Sequence, residues 1–279
     1  MTSPMALFRR VRRVVAHGLA GTLMVTAWPC TDGTFPDSMV ALGDSITRGF
    51  NACEQFVDCV ARSFGTGTDP AVRSQYLRLQ EKNPEIKGHA DNLAASGARA
   101  ADMPAQAATA ASRGAQYVTL LVGANDACAP TEAAMTPVAT YRRHIDDALA
   151  TLRSGLPSAR IELISIPDLY RLWSIGHDDP SAVAAWRRYD TCPSMLADPD
   201  SEAPPDQARR QRVRQRIIDF NTELAEACAK QGPHCVFDGN AVFDYPLQLS
   251  HLSTWDYFHP GPAGQAMLAD VSYRAMFGR

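Results

Sequence analysis

The chain has 279 residues, of which 46% are hydrophobic and 20% are charged, so it can bury the core of one large domain. This composition excludes disordered, fibrous and low-complexity proteins. The formal net charge of −3 gives no chain-wide basic surface, which argues against nucleic acid as a partner.

The N-terminal segment has the layout of a secretory signal peptide. Arginines at four of the positions 9–13 come without any acidic residue, and a mostly apolar run that ends in small residues follows over 14–27. The run is shorter than the roughly 20 residues of a membrane-spanning helix. We therefore expect residues 1–27 to be cleaved, with an uncleaved anchor or an amphipathic arm as the alternatives. Residues 28–279 are expected to form a single, mildly acidic domain.

Short apolar runs alternate with helical patterns along the rest of the chain. The apolar runs predict buried parallel strands over residues 38–42, 117–122, 160–166 and 235–237. Apolar spacings of three to four residues, an alanine-rich segment and a Pro-Gly start predict helices over residues 101–113, 141–156, 213–228 and 262–276. This alternation predicts an α/β fold, a three-layer α/β/α sandwich with a parallel sheet.

Two segments depart from this alternation. Residues 51–70 and 176–207 are rich in Gly, Pro or acidic residues, and we expect long loops or short helices there, over one rim of the sheet. The basic run over residues 209–216 lies within the pattern of a helix. A solvated helix face is the expected explanation, in preference to an anion or membrane site.

Two polar residues follow predicted strands, where ligands of parallel α/β sheets bind. Ser45 comes after the first strand in the sequence Gly-Asp-Ser, at the expected start of a helix, and is a candidate nucleophile. Asn125 follows the strand over 117–122, and its amide could donate a hydrogen bond to an oxyanion. An ordinary helix cap at Ser45 and a turn at Asn125 are the structural alternatives.

A carboxylate and an imidazole lie three residues apart before the last predicted helix. One turn can place Asp256 beside His259, which would fix the imidazole tautomer and stabilise the ring once it is protonated. A hydrogen-bonded structural histidine is the alternative, although the other six histidines have no comparable neighbours.

The seven cysteines favour disulfides if the chain reaches an oxidising compartment. Proximity along the chain suggests the pairs Cys53–Cys59, Cys228–Cys235 and Cys128–Cys192, although six cysteines admit other connectivities. Cys30 is left over, and the bulky residues before it argue against lipid attachment. No Cys-x-x-Cys or paired His spacing is present, so we expect no metal site.

The segments ALGDSITRGF, NLAASGA, GAND and DYFHP occur in this order and resemble the motifs of the SGNH hydrolase family, also called GDSL esterases and lipases. The resemblance spans residues 38–270 and is greatest to phospholipase B-like and secreted actinobacterial members. Ile46 stands where the pattern that names the family has Leu. The Gly-x-Ser-x-Gly elbow of the α/β-hydrolases is absent, since Thr47 follows two residues after the serine.

The resemblance implies a flavodoxin-like sandwich and a role for each motif. Ser45 would be the nucleophile, His259 the general base and Asp256 its orienting acid. The oxyanion hole would consist of the backbone N–H groups of Ser45 and Gly97 and the side chain of Asn125.

The function that we expect is a secreted, extracellular carboxylic ester hydrolase, a lipase or esterase that cleaves acyl esters through an acyl-enzyme. Its partner would be a small-molecule or lipid ester, with transient contact to a lipid surface, and no cofactor is expected. Three alternatives remain open at this point: a carbohydrate deacetylase, an acyltransferase that uses the same site, and a catalytically silent binding protein.

Overall fold

The computed structural model describes Met1 and residues 35–278. The rest of the expected signal peptide, and Cys30, lie outside the described residues. Among the helices that are described, none combines the length and hydropathy needed to cross a membrane.

One parallel sheet organises the described part of the chain. Its strands are β1 (Met39–Gly43), β2 (Ala90–Asn92), β3 (Tyr117–Leu121), β4 (Arg160–Leu163) and β5 (Cys235–Phe237). They are ordered β2-β1-β3-β4-β5, and every neighbouring pair is parallel. The strand order reverses at β1, so the crevice between the ends of β1 and β3 is where a ligand is expected to bind.

Helices cover both faces of the sheet. They are α1 (Ser45–Arg48), α2 (Gln75–Lys82), α3 (Met103–Arg113), α4 (Ala124–Ala127), α5 (Val138–Gly155), α6 (Leu169–Gly176), α7 (Pro180–Tyr189), α8 (Pro193–Leu196), α9 (Pro204–Ala229) and α10 (Pro262–Phe277). Alternate strand residues point to opposite faces: Val40 and Val118 pack in the core that includes α3, α5 and α9, whereas Met39 and Tyr117 pack against α2 and α10. The predicted α/β/α sandwich is therefore confirmed.

The structure departs from the predicted elements at two places. The apolar runs continue past the strand ends at Leu121 and Leu163, because the residues that follow stay buried after they leave the ladder. The edge strand β2 was not predicted, since its sequence Ala-Asp-Asn is short, polar and only half-buried. The segment over 176–207, where long loops or short helices were expected, contains the short helices α7 and α8 and the start of α9.

The basic run of α9 is not simply a solvated face, and that prediction is wrong for Arg210. Arg210 is fully buried, its guanidinium lies 4.3 Å from the ring centroid of Trp173, and it donates a hydrogen bond of 2.6 Å to the backbone oxygen of Asp198. Arg214 pairs with Asp168 at 2.8 Å. These arginines tie α9 to the elements that precede it along the chain.

Three disulfides occur within the described residues: Cys53–Cys59, Cys128–Cys192 and Cys228–Cys235. They join the same pairs that proximity along the chain suggested. The first closes the loop that follows α1, and the second anchors the residue directly after α4. Both bridges therefore restrain segments that begin at the carboxyl end of the sheet.

A buried carboxyl group lies on β4, on the face covered by α2 and α10. Oε2 of Glu162 lies 2.6 Å from the hydroxyl of Tyr117 and accepts a hydrogen bond of 2.8 Å from Gln75. Burial raises the pKa of Glu162 from 4.5 to about 8, against the lowering effect of these two partners. The folded protein therefore holds this proton at neutral pH.

The substitution Glu162→Gln is expected to remove a pH dependence of stability. Because the pKa is raised in the folded state, the stabilisation by the protonated carboxyl is complete below pH 4.5 and is lost as the pH rises to about 8. A shift of this size corresponds to about 5 kcal/mol. Guanidinium unfolding at about pH 5 and about pH 8 should show the wild type losing several kcal/mol more than the variant, in which Asp44 and the other buried carboxyl groups still titrate.

The control is Glu132→Gln, which removes a half-buried carboxylate paired with Arg212 at 2.6 Å. The hydrogen bond from Arg212 lowers the pKa of Glu132. Its contribution to the pH dependence of the free energy of unfolding is therefore small and opposite in sign to that of Glu162. A wild-type protein whose free energy of unfolding does not fall between the two pH values would contradict the prediction.

Candidate active site

Ser45 is presented by a tight turn at the end of β1. Gly43 has φ +146°, and a Cβ at this position would overlap the backbone oxygen of Leu121 on the neighbouring strand, so only glycine fits. The side chain of Gln106 holds both peptide groups of Gly43, accepting from its N–H at 2.8 Å and donating to its oxygen at 2.9 Å. Ser45 then opens α1, which Asp44 caps by accepting from N–H of Ile46.

The imidazole of His259 links Ser45 to Asp256. Its Nε2 lies 2.8 Å from Oγ of Ser45, and its Nδ1 lies 2.6 Å from Oδ2 of Asp256. A carboxylate beside Nδ1 favours the tautomer with the proton on Nδ1, which leaves Nε2 free to accept the proton of the serine hydroxyl. The structure thus brings three of the predicted site residues into one hydrogen-bonded chain.

The loop before α10 is folded so that the carboxylate and the imidazole meet. Leu252 and Pro260 form an antiparallel bridge, which closes the loop at its base. Inside it, Oδ1 of Asp256 accepts the backbone N–H groups of Phe258 and His259, both at 3.0 Å. Tyr257 has φ +50°, a left-handed conformation that turns the chain between the two functional residues. The left-handed turn at Tyr257 therefore allows the side chains of Asp256 and His259 to meet, although the residues are only three positions apart.

The other two predicted site residues lie together beyond the ends of β2 and β3. Nδ2 of Asn125 donates a hydrogen bond of 2.9 Å to the backbone oxygen of Ala98, next to Gly97, and the amide has a second N–H to offer. Gly97 has φ +84°. The same segment reaches the nucleophile turn, because N–H of Ala95 donates to the oxygen of Gly43 at 3.1 Å.

Two buried carboxyl groups lie beneath the site. Asp44 is fully buried, and burial raises its pKa to about 7, while the N–H of Ile46 and the charge of His259 lower it and Asp126 raises it further. Burial also raises the pKa of Asp126, whose Oδ2 accepts from N–H of Ala100 at 2.9 Å. The carboxyl of Asp44 therefore becomes charged only near pH 7.

Sequence reasoning missed two residues that contact the histidine and its carboxylate. Nδ2 of Asn51 donates a hydrogen bond of 2.7 Å to Oδ2 of Asp256, and the ring centroid of Phe50 lies 4.9 Å from that of His259. Both residues follow Ser45 closely in the motif ALGDSITRGFNA. Nothing in their spacing points to a partner more than 200 residues away.

The described residues contain no group of three or more His, Cys, Asp or Glu side chains that could hold a metal ion.

Asn125→Ala is expected to lower kcat for ester hydrolysis by about 100- to 1,000-fold, because the variant loses one donor to the charge that develops in the transition state. KM should change little, since a neutral ester oxygen gains less from this donor than an oxyanion does. Steady-state kinetics with a p-nitrophenyl ester measures both constants.

The variant Gln116→Ala serves as the control, because Gln116 immediately precedes β3 and its amide contacts Asp37 at the opposite end of the sheet. A kcat for Asn125→Ala within a factor of about three of the wild-type value would rule out an oxyanion contact for this amide.

The site lies at the carboxyl end of a parallel sheet and links a serine, an imidazole and a carboxylate by hydrogen bonds, in that order. This arrangement is suited to nucleophilic ester cleavage. The model of the family described as GDSL-like Lipase/Acylhydrolase matches residues 39–271. The chain therefore belongs to this family, and it is an ester hydrolase. The family expected from the four motifs is thus confirmed.

One curated relative is a much longer protein. The chain is 30% identical over 183 residues to human membrane-associated phospholipase B1, and the match covers 55% of this chain but only 12% of that protein. What the whole relative does is therefore not carried over to this chain by the match alone.

Two solved structures share the fold. A catalytic mutant of an acetylxylan esterase from Geobacillus stearothermophilus is similar with a TM-score of 0.54 and 16% identity, covering 86% of this chain and 93% of that one. A lipase from a goat rumen metagenome is similar with a TM-score of 0.51 and 14% identity, covering 87% and 98%. At these identities the likeness concerns the fold.

Proposed function

We propose that this chain is a secreted serine esterase that cleaves acyl esters, with lipid esters as the favoured substrates, through an acyl-enzyme on Ser45. The observation that carries the proposal is the continuous hydrogen-bonded chain from Oγ of Ser45 through His259 to Asp256.

Acylation begins with Nε2 of His259, which takes the hydroxyl proton as Oγ of Ser45 attacks the ester carbonyl carbon. The carbonyl oxygen becomes an oxyanion, which the backbone N–H groups of Ser45 and Gly97 and the amide of Asn125 stabilise. When the intermediate collapses, the bond to the leaving alkoxide breaks and His259 returns its proton to that oxygen. The products are a free alcohol and an acyl ester of Ser45.

Deacylation repeats the sequence with water. His259 takes a proton from a water molecule that attacks the acyl carbon, and the same donors hold the second oxyanion. The bond from the acyl carbon to Oγ of Ser45 then breaks, the proton returns to Oγ, and the carboxylic acid is released. The carboxylate of Asp256 stabilises the imidazolium in both halves. A second alcohol in place of the water would make the reaction an acyl transfer.

Apolar side chains around the histidine support a lipid substrate. Phe50 contacts the ring of His259, and Phe56 packs on Phe50 with ring centroids 5.0 Å apart. Phe56, Val57 and Trp255 are 49%, 47% and 43% exposed, and Trp255 directly precedes Asp256. Exposed apolar groups at the mouth of a site favour acyl chains or a lipid surface, which agrees with the phospholipase name of the curated relative.

Secretion is supported by two independent features. The arginine-rich start and apolar run over residues 1–27 have the layout of a signal peptide, and three disulfides are typical of an oxidising compartment. We propose that the mature protein consists of residues 28–279 as a single hydrolase domain.

Labelling with a fluorophosphonate and a panel of esters tests the proposal. We expect the probe to modify the peptide that contains Ser45 and to spare the exposed control serine Ser174. The panel consists of p-nitrophenyl esters from acetyl to palmitoyl, phospholipid vesicles, acetylated xylo-oligosaccharides, and one reaction with an added alcohol. Release of free fatty acids supports a lipid esterase.

Three other results would overturn parts of the proposal. Turnover confined to the acetylated sugars would make the chain a carbohydrate deacetylase, and a dominant acyl-alcohol product would make it an acyltransferase. A protein that neither reacts with the probe nor turns over any ester would be a binding protein on this scaffold.

A further inference from the structure

Asp256 is held by more donors than a triad carboxylate needs for orientation alone. Its Oδ1 accepts two backbone N–H groups from its own loop, and its Oδ2 accepts from Nδ1 of His259 at 2.6 Å. A fourth donor, Nδ2 of Asn51 at 2.7 Å, reaches the same Oδ2 from the other end of the chain. Asn51 is therefore the side chain that shares this oxygen with the histidine.

Two features of Asn51 are unfavourable for stability. The residue is fully buried and has φ +64°, a left-handed conformation that asparagine tolerates better than most residues. Its Oδ1 is buried without a hydrogen-bond partner among the described residues, and an unsatisfied buried acceptor is unfavourable. The hydrogen bond to Asp256 therefore accounts for an asparagine at this unfavourable position.

A cross-linked loop presents the amide. N–H of Asn51 donates to the oxygen of Val57 and its own oxygen accepts from N–H of Glu54, both at 3.0 Å, and the Cys53–Cys59 disulfide closes the same segment. The backbone of Asn51 is therefore fixed independently of the loop that carries Asp256. An amide fixed in this way can define the position of the carboxylate.

We propose that Asn51 is a positioning residue of the catalytic triad, whose amide holds Oδ2 of Asp256 where it accepts the Nδ1 proton of His259. The inference rests on the proposed function, since it assigns a role in the reaction at that same site. The residue acts through Asp256 and does not contact the reacting atoms.

Two variants test the role of the Asn51 amide separately from that of its left-handed backbone. Asn51→Gly removes the donor, and glycine adopts the left-handed conformation without strain. Asn51→Asp keeps the shape but places a second carboxyl against Asp256, and two carboxyl groups at this distance cannot both ionise readily. When protonated, the new carboxyl donates in place of the amide. Once it ionises, it repels Asp256.

We expect Asn51→Gly to lower kcat by about 10- to 100-fold with little change in KM, as for loss of a hydrogen bond to a charged group. The melting temperature should stay near that of the wild type, because the unsatisfied oxygen is removed with the donor. Asn51→Asp should retain more activity at low pH and then lose it as the pH rises, which gives the kcat profile a descending limb that the wild type lacks.

The neighbouring charges are the same in all these proteins, so they do not produce the new limb. The titratable or charged residues on the segments that carry or adjoin the pair are Asp44, Arg48, Glu54, Asp58, Arg62, Tyr257 and His259. The comparison of each variant profile with the wild-type profile therefore isolates the substituted group.

Asn240 offers a matched control. It also has a left-handed backbone, with φ +67°, and a buried Oδ1 without a partner among the described residues. It lies in the turn after β5 instead of beside Asp256. Asn240→Gly and Asn240→Asp should therefore leave kcat and the pH profile unchanged.

The outcomes distinguish this inference from the proposed function. If Asn51→Gly and Asn51→Asp keep the wild-type kcat and pH profile, the positioning role is wrong, whereas labelling of Ser45 still supports the esterase. A loss of activity that follows a lower melting temperature, with a wild-type pH profile in Asn51→Asp, would also overturn it. If Ser45 is not required for turnover, the proposed function itself fails.

Discussion

Ser45→Ala is expected to lower kcat for p-nitrophenyl ester hydrolysis by about 10⁵- to 10⁶-fold, because the variant has no atom to form the acyl-enzyme. The residual rate should stay above the uncatalysed rate, since the oxyanion donors and the substrate-binding contacts remain. Fluorophosphonate labelling should be lost in parallel. Initial rates and intact-protein mass spectrometry measure the two effects.

The loss should not come from unfolding. The cap of α1 is the side chain of Asp44, which accepts from N–H of Ile46, and this bond does not involve the serine hydroxyl. Its removal leaves Nε2 of His259 without the partner that lies 2.8 Å away, a change of about 1 kcal/mol in the free energy of unfolding. Retained turnover in a folded Ser45→Ala protein would falsify the nucleophile assignment.

The parts of the fold that local sequence encodes were predictable. Strands β1 and β3 are continuous apolar runs because both of their faces are covered by helices, and α5 repeats its apolar residues every three to four positions. The edge strand β2 gave no such signal, since its polar residues are only half-buried. Arg210 is buried through a stacking contact with Trp173, a tertiary contact that residue type alone does not reveal.

The candidate site shows the same division. Ser45, Asn125 and the pair Asp256 and His259 each stand after a strand or before a helix, so their place at one rim followed from the rule for parallel sheets. Asn51 did not follow from it. Its amide meets Asp256 across 205 positions of sequence, and the contact depends on a left-handed turn and on the path of a cross-linked loop. Polar contacts between two irregular segments have no periodicity that a sequence could display.

Asp256→Asn is expected to lower kcat by about 10⁴-fold, because it would impose the wrong tautomer on His259. Two backbone N–H groups point at the position of Oδ1, so the amide oxygen must occupy that position and the NH₂ group must take the place of Oδ2. That group is a donor. It then faces Nδ1 of His259, which can only accept from it, and the imidazole proton moves to Nε2, towards Ser45.

Kinetics over a pH range and the melting temperature check this prediction, with Asp270→Asn on α10 as a half-buried control that pairs with Arg274 at 2.9 Å. The melting temperature of Asp256→Asn should fall moderately, since the new NH₂ group also faces the donor Nδ2 of Asn51. A kcat within a factor of about ten of the wild type would mean that the carboxylate does not set the tautomer.

In the Asp256→Asn protein, two NH₂ donors face each other, one on the new side chain and one on Asn51. This arrangement gives a second test of the contact between positions 51 and 256. In the Asp256→Asn protein, Asn51 no longer supports a carboxylate and instead opposes an NH₂ group, so Asn51→Gly should cause no further loss of kcat and should raise the melting temperature. In the wild-type background, the same substitution lowers kcat by about 10- to 100-fold. This non-additivity is expected only if both side chains act on one oxygen. Additive losses in the double variant would place the effect of Asn51 elsewhere.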